Sequence, residues 1–353
     1  MSTTTPQTPG LAGRTGAPEP PIETKAGIAS KRRSTASALL ERNALVGLLL
    51  VTIAVFSLLE PDLFPTAANF RATMASQAVL AVAALAVMIP LLAGQFDLSI
   101  GANLGLTSVV FAAALGRHDV PLPLAALLAI TVGAAVGLVN GVFVTRLSIN
   151  SLIVTLGVAS LIRGALERYA AGQVLLEGIP QSFKNLGSVL PSNLWLGVPR
   201  IVYIMGAVAL GVWYLVEHTP SGRYLGAVGS NSASARLVGL NVDRVVVGSF
   251  VLGGALAGVA GLLQVAYSGQ ANPAVGPNFT LPALAAAFLG ASAIKPGRYN
   301  VVGTIVAIYF LAATISGLNF VGLGQGIEPL FNGAALIIGV GVSSWLGRSR
   351  RKG

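Results

Sequence analysis

Residues 92–103 read Leu92-Ala93-Gly94-Gln95-Phe96-Asp97-Leu98-Ser99-Ile100-Gly101-Ala102-Asn103, an abrupt polar interruption between two apolar runs. Gln95, Asp97, Ser99 and Asn103 carry amide, carboxyl and hydroxyl groups that can exchange hydrogen bonds with the hydroxyls of a solute. Pro90 and Gly94 precede them and predict a broken or bent helix, the kind of segment that lines solute paths in membrane bundles. Two readings stay open. The plain one is a tight turn in which Asp97 and Ser99 cap the next helix. The other makes Gln95, Phe96, Asp97, Ser99 and Asn103 part of a solute path. Farther along, Arg163 and Glu167 lie four residues apart and share a helix face. Mutual neutralisation is the plain reading there, and an Arg163 that orients a polar solute is the alternative.

Other chemistry is hard to find. The chain has no cysteine, which removes disulfide frameworks, zinc ribbons and thiol nucleophiles. His118 and His218 lie about a hundred residues apart and offer no metal-ligand spacing. No lysine stands in a Walker A context, and no HExxH, GxSxG or paired-carboxylate pattern occurs. The expectation is a protein with no catalytic residues, no metal and no cofactor of its own.

The elements that must position the polar residues are legible from composition. Of 353 residues 54% are apolar and 10% charged, with a mean hydropathy of +0.77. A soluble domain carries roughly a quarter of its residues charged. So little charge cannot cover a core of this size, and the chain reads as an all-α, polytopic helical bundle in the cell (inner) membrane. Apolar segments fall at about 44–60, 72–93, 99–116, 122–145, 151–170, 201–217, 245–267, 280–295, 300–319 and 328–346, ten spans in all. Residues 1–43, poor in large apolar side chains and ending near Lys31-Arg32-Arg33, read as a disordered basic tail. The transmembrane domain would run over 44–346, with a basic terminus at 347–353.

Charge orients the spans. Arg14, Lys25, Lys31, Arg32, Arg33, Arg42, Arg146, Arg223, Arg236, Arg244, Lys295, Arg298, Arg348, Arg350, Arg351 and Lys352 all fall on one side of a ten-span chain. The other side holds Arg71, Arg117, Lys184 and Arg200. The positive-inside rule then places both termini in the cytoplasm. The net charge of +10 marks membrane-flanking bases and lipid contact, not a nucleic-acid surface, because no single patch interleaves them with aromatics. Small residues dominate the spans. Gly133 and Gly137 make one GxxxG step and Gly254 and Gly258 another, a spacing that lets helix backbones approach closely.

The inner loop at 218–244 predicts a short helix after Asn231, N-capped by Asn231 or Ser230 and closed by Gly239. Its residues carry a family resemblance. Thr219-Pro220-Ser221-Gly222-Arg223-Tyr224, Ala227-Val228-Gly229-Ser230-Asn231 and Ala235-Arg236-Leu237-Val238-Gly239-Leu240-Asn241-Val242 resemble the coupling loop of the ribose/xylose-type ABC importer permeases, a branch of the branched-chain amino acid permease superfamily. Three further stretches agree in order. Gly94-Gln95-Phe96-Asp97-Leu98-Ser99-Ile100-Gly101 is similar to that family's Gly-Gly-Ile-Asp-Leu-Ser-Val-Gly signature. Asn150-Ser151-Leu152-Ile153-Val154-Thr155-Leu156-Gly157, followed by Arg163-Gly164, resembles its fifth helix. Leu281-Pro282-Ala283-Leu284, with Gly303-Thr304 beyond, resembles its eighth-to-ninth helix connection.

The resemblance covers about residues 44–345 and implies a permease of some ten helices that moves a monosaccharide or related polyol by alternating access. It implies two ATP-binding cassette ATPase subunits, or one fused double-cassette ATPase, on the inner face. An extracytoplasmic sugar-binding protein and a second permease subunit would complete the assembly. Carried over by position, Gly222, Arg223, Gly229, Asn231, Ala235, Arg236 and Gly239 would serve ATPase coupling. Gln95, Phe96, Asp97, Ser99, Asn103, Thr155 and Arg163 would line the substrate path. The chain departs from the family at Gln95-Phe96, where Gly-Ile is usual, and at Leu281-Pro282, where carboxylates are usual. A pentose, hexose, deoxysugar or sugar alcohol each suits such a lining. The alternatives are an ion-coupled secondary transporter, which would call for more intramembrane acids than Asp97, and an ABC permease for amino acids.

Overall fold

The computed structural model describes residues 1–2, 35–324 and 326–351, with side chains described within 43–341. The elements in chain order begin with α1 (Thr35–Leu59), α2 (Ala67–Leu92), α3 (Ile100–His118), α4 (Leu122–Arg146) and α5 (Ser151–Ala170). Then come α6 (Gln181–Lys184), the hairpin β1 (Leu194–Trp195) and β2 (Val198–Pro199), and α7 (Arg200–His218). Two loop helices follow, α8 (Pro220–Ser230) and α9 (Ser232–Leu237). The chain ends with α10 (Val242–Ser268), α11 (Pro277–Gly290), α12 (Val301–Phe320) and α13 (Ile327–Arg351).

Each of the ten predicted apolar segments coincides with a helix. Six of them (α2, α3, α4, α7, α10 and α12) are long and apolar enough to cross a membrane, while α1 and α13 contain shorter apolar stretches. The chain is an all-α polytopic membrane protein. Helix α1 starts at Thr35, inside the stretch read from sequence as tail; residues 3–34 of that stretch and residues 352–353 of the basic terminus lie outside the described residues.

Helix α2 is the centre of the bundle. From Ala78 to Ile89 its side chains are almost all fully enclosed, because α3, α7, α10, α11 and α12 surround it. A helix apolar on every side is what such a position requires. Beside it α4 and α10 run backbone to backbone. A Cβ added at Gly137 would lie 2.0 Å from the Phe250 carbonyl oxygen, and one at Gly254 would lie 2.2 Å from that of Gly133. The two GxxxG steps seen in the sequence therefore face each other, and packing at contact distance replaces the hydrophobic drive that lipid cannot supply.

Three local features differ from the sequence expectation. Helix α11 stops at Gly290 instead of continuing to 295, because Asn300 gathers the turn: its Nδ2 donates to the carbonyls of Gly290 (3.2 Å), Ala293 (3.0 Å) and Arg298 (3.1 Å). The inner loop contains two helices instead of one. Pro220 at the first position of α8 was the available signal, since its missing N–H costs nothing there. Between α5 and α7, where the sequence predicts no element, the chain forms α6 and the small hairpin.

Side-chain contacts pair regions that the charge pattern assigns to the same side. Lys295, in the α11–α12 turn, pairs with Glu217 at the end of α7, both on the basic side. Arg71 donates from Nε to the Gly197 carbonyl (3.2 Å), both on the other side.

Candidate functional site

The polar break after α2 is built by a glycine and then locked by hydrogen bonds. Gly94 adopts φ +75°, a left-handed turn that a side chain would strain, and Gln95 N–H closes back onto the Pro90 carbonyl at 2.9 Å. Asp97 Oδ1 accepts from both the Ser99 N–H (2.9 Å) and the Ser99 hydroxyl (2.6 Å). The Ser99 hydroxyl in turn accepts from Asn140 Nδ2 of α4 at 2.8 Å. On the other flank, the Phe96 N–H donates to Ser151 Oγ (3.2 Å) and the Leu98 N–H to Thr155 Oγ1 (3.1 Å), both on α5. Asn103 Nδ2 donates to the Gly133 carbonyl at 3.1 Å. The break is thus a short rigid strap that joins α4 to α5.

This geometry sorts the residues expected to line a path. Asp97, Ser99, Asn103 and Thr155 are completely or almost completely enclosed and hydrogen-bond to one another or to the backbone, while Asp97 Oδ2, Asn103 Oδ1 and Asn140 Oδ1 are buried without a partner among the described residues. The hydrogen bonds of Asp97 close a tight turn onto Ser99 just ahead of α3, whose N-terminus receives no side-chain cap bond. Gln95, Phe96 and Arg163 instead reach open clefts. Asn140 and Ser151, which hold the strap, were missing from the sequence-derived set. A lone amide inside the apolar α4 was the signal for Asn140.

Two clefts meet the strap from opposite directions. One, of about 610 Å³, is lined by Gly94, Gln95 and Phe96, by Asn150 and Leu152 at the start of α5, and by Ser232 and Arg236 of the inner loop. The other, of about 680 Å³, is lined by Leu98, by Leu156, Ser160, Arg163 and Glu167 of α5, and by Asn272 and Thr280. Their walls on α5 are four residues apart, Leu152 against Leu156, a rise of about 6 Å. On the strap itself, Phe96 lines the first cleft and Leu98 the second. Arg163 and Glu167 are both exposed in the second cleft, and among the described residues they form no ion pair with each other. The neutralisation read from their spacing is therefore not made. Ser160 stands one turn before Arg163 on α5, whereas Asn272 and Thr280 come from segments too far along the chain to be read with them.

The inner loop rests on the strap. A Cβ added at Gly229 would lie 2.1 Å from the Leu92 carbonyl oxygen and 3.1 Å from the Gly94 nitrogen. Gly222 is buried against the end of α7, where an added Cβ would meet the Val216 carbonyl at 2.0 Å. Asn231 caps α9 through its side chain, which accepts from the Ser234 N–H at 3.0 Å, and Gly239 closes the turn after it at φ +85°. Ala235 is buried with Val228, Val242, Val246 and Phe250, and Arg236 is paired with Asp243 at 2.7 Å. What the loop leaves outward is Arg223, Tyr224, Leu237 and Val238, the last two 88% and 77% exposed. Gly229 thus faces the bundle, and Gly229→Ala is expected to lower solute transport by about tenfold, the scale of a coupling free energy between sites, at unchanged protein level. Uptake by membrane vesicles checks this, with Gly226→Ala, at an open position of the same helix, as the silent control.

Comparison with known proteins adds the family. The description "Branched-chain amino acid transport system / permease component" matches residues 69–340. The chain is 34% identical over 316 residues to the ribose import permease protein RbsC of Escherichia coli (strain K12), covering 89% of this chain and 96% of that protein. It is 27% identical over 312 residues to the ribose import permease protein RbsC of Haemophilus influenzae, covering 88% and 95%. It is also 28% identical over 303 residues to the autoinducer 2 import system permease protein LsrD of Photorhabdus temperata, covering 84% and 89%. No solved structure matches the chain. A helical bundle broken at 93–99, with the family's pattern running through both clefts and the loop beneath them, belongs to the branched-chain amino acid transport system permease family.

Proposed function

We propose that the chain is the permease subunit of an ATP-driven sugar importer, passing a monosaccharide or related polyol from the α5 cleft that holds Arg163 to the cleft beneath Gln95. The observation that carries this reading is the pair of clefts that meet one strap, at Phe96 and at Leu98, with the inner loop seated on the same strap through Gly229. Alternating access needs a barrier that two states can open to either side, and a partner shifts that equilibrium only by binding one state better. The ribose import relatives support a sugar as cargo. The strap-bound polar residues then act as the fixed frame, while Gln95, Phe96 and Arg163 meet the solute.

ATP is hydrolysed on separate cassette subunits in this reading, and a sugar-binding protein delivers the solute on the far side. The exposed Leu237 and Val238, with Arg223 and Tyr224 beside them, suit a groove on the ATPase. The exposed apolar face of α5, at Ile153 and Leu161, suits a second permease subunit. Both termini lie on the ATPase side.

Co-purification and reconstitution test the reading. The tagged chain is expected to bring an ATPase with it, and proteoliposomes holding both, given the sugar-binding protein on the far side, are expected to take up D-ribose only with ATP on the ATPase side. Uptake driven by an ion gradient in the absence of any ATPase would overturn it. Within that complex, Leu237→Asp together with Val238→Asp is expected to weaken ATPase capture by roughly tenfold or more, since exposed apolar anchors carry most interface energy. Pull-down at matched permease levels checks it.

A further inference from the structure

A third cleft, of about 620 Å³, lies on the other side of the α10–α11 connection and belongs to no role described so far. Its wall includes Gln77 of α2, Gln264 of α10, Asn278 of α11, Asn319 of α12, and Glu328 and Asn332 of α13. Five amides from five helices converge there in a bundle whose helices are otherwise built of Ala, Val, Leu and Gly. Among the described residues, the side chains of Gln264, Asn278, Asn319 and Asn332 make no hydrogen bond to the protein, although Asn332 is only 6% exposed. Polar groups inside a membrane bundle are costly and face interior cavities, where an unspent donor and acceptor invite a ligand that offers both.

The chemistry of that lining is selective. An amide presents two donors and one carbonyl acceptor, a match for hydroxyl groups that also give and take. The lining contains one carboxyl, Glu328, and no lysine, arginine or histidine, so a carboxylate has no cation to pair with. An amino acid would bury its carboxylate there unpaired, at a cost that a neutral polyol does not meet. The volume lies within the range of small-molecule pockets. We infer that this amide-lined cleft is a binding site for a neutral polyhydroxylated solute, separate from the Arg163 cleft along α5. The inference rests on the sugar-importer reading and names a second station for the same class of cargo.

The absence of native cysteine makes a direct test simple. Asn278→Cys is introduced into the full chain in nanodiscs, with Asn319→Cys on α12 as an independent reporter. Maleimide modification of the two reporters, one on α11 and one on α12, is then timed with D-ribose or L-leucine present. At about ten times its dissociation constant, ribose is expected to slow modification roughly tenfold at both positions, and leucine to leave the rates unchanged. A further change, Gln264→Ala, is expected to cancel the protection while Cys labelling without sugar stays the same. If ribose protects neither position in a permease that imports ribose with its ATPase, the site is overturned and the importer reading stands. Protection by leucine but not by ribose would overturn both.

Discussion

Gly137→Leu is expected to remove the folded protein from the membrane almost entirely. The Cβ alone would stand 2.0 Å from the Phe250 carbonyl oxygen and 2.7 Å from its carbon, and neither atom can rotate away. Relief requires α4 and α10 to separate along their whole shared length, which also parts Gly133 from Gly254 and Gly258. Dispersion contacts fall off steeply over a fraction of an ångström, so the loss spreads beyond the mutated turn. Overpacking of this kind costs about 3 kcal/mol or more, roughly a hundredfold in the folded fraction. Fluorescence-detected size-exclusion of a tagged chain measures the outcome. Gly157→Leu, at a position of α5 with nothing within 4 Å, is expected to elute like the parent. A monodisperse Gly137→Leu peak of parental height would refute the packing role.

The second large effect is expected at Asp97. Asp97→Leu removes the acceptor of two hydrogen bonds from Ser99 and leaves that buried N–H and hydroxyl without their partner. The loss propagates, since the Ser99 hydroxyl is also what Asn140 of α4 holds. Hydrogen bonds to ionisable groups contribute about 1.5–3 kcal/mol, and buried donors left unmade cost about as much again, although measured values inside membranes run lower. A lowered apparent Tm in detergent and a near-complete loss of uptake are therefore expected together. Asp97→Asn keeps an oxygen for Ser99 and is expected to retain the parental Tm. If Asp97 met solute directly, Asp97→Asn would instead change KM at unchanged Tm, and that outcome would return it to the path.

Both variants probe the same division of labour. The glycine pairs and the strap hold one rigid frame, whereas the groups that open onto the clefts are few and come from separate helices. Gly229 links the frame to the loop beneath it, and this explains why even a methyl group there is expected to act on transport and not on ATPase capture.

Much of this was written into local sequence. Apolar runs of about twenty residues mark helices wherever they occur, so the positions of all ten long helices could be read directly. The Pro90 and Gly94 break, the Asn231 cap and the Gly239 turn are likewise local, because each is decided by a residue and its neighbours within one turn. The two GxxxG steps could be named as packing surfaces, although not as partners of each other. Which way a side chain points was a different matter. A helix such as α2 or α4 is apolar on every face, and without an amphipathic stripe its rotation cannot be read from the sequence. Tertiary packing alone turned Asp97, Ser99, Asn103 and Thr155 inward, left Arg163 and Glu167 apart in an open cleft, and set Gly229 against Leu92. It also brought Gln77, Gln264, Asn278, Asn319 and Asn332 to one cleft, across more than two hundred residues of chain. Length, caps and turns are settled by neighbours in the chain, whereas facing and convergence are settled by neighbours in space.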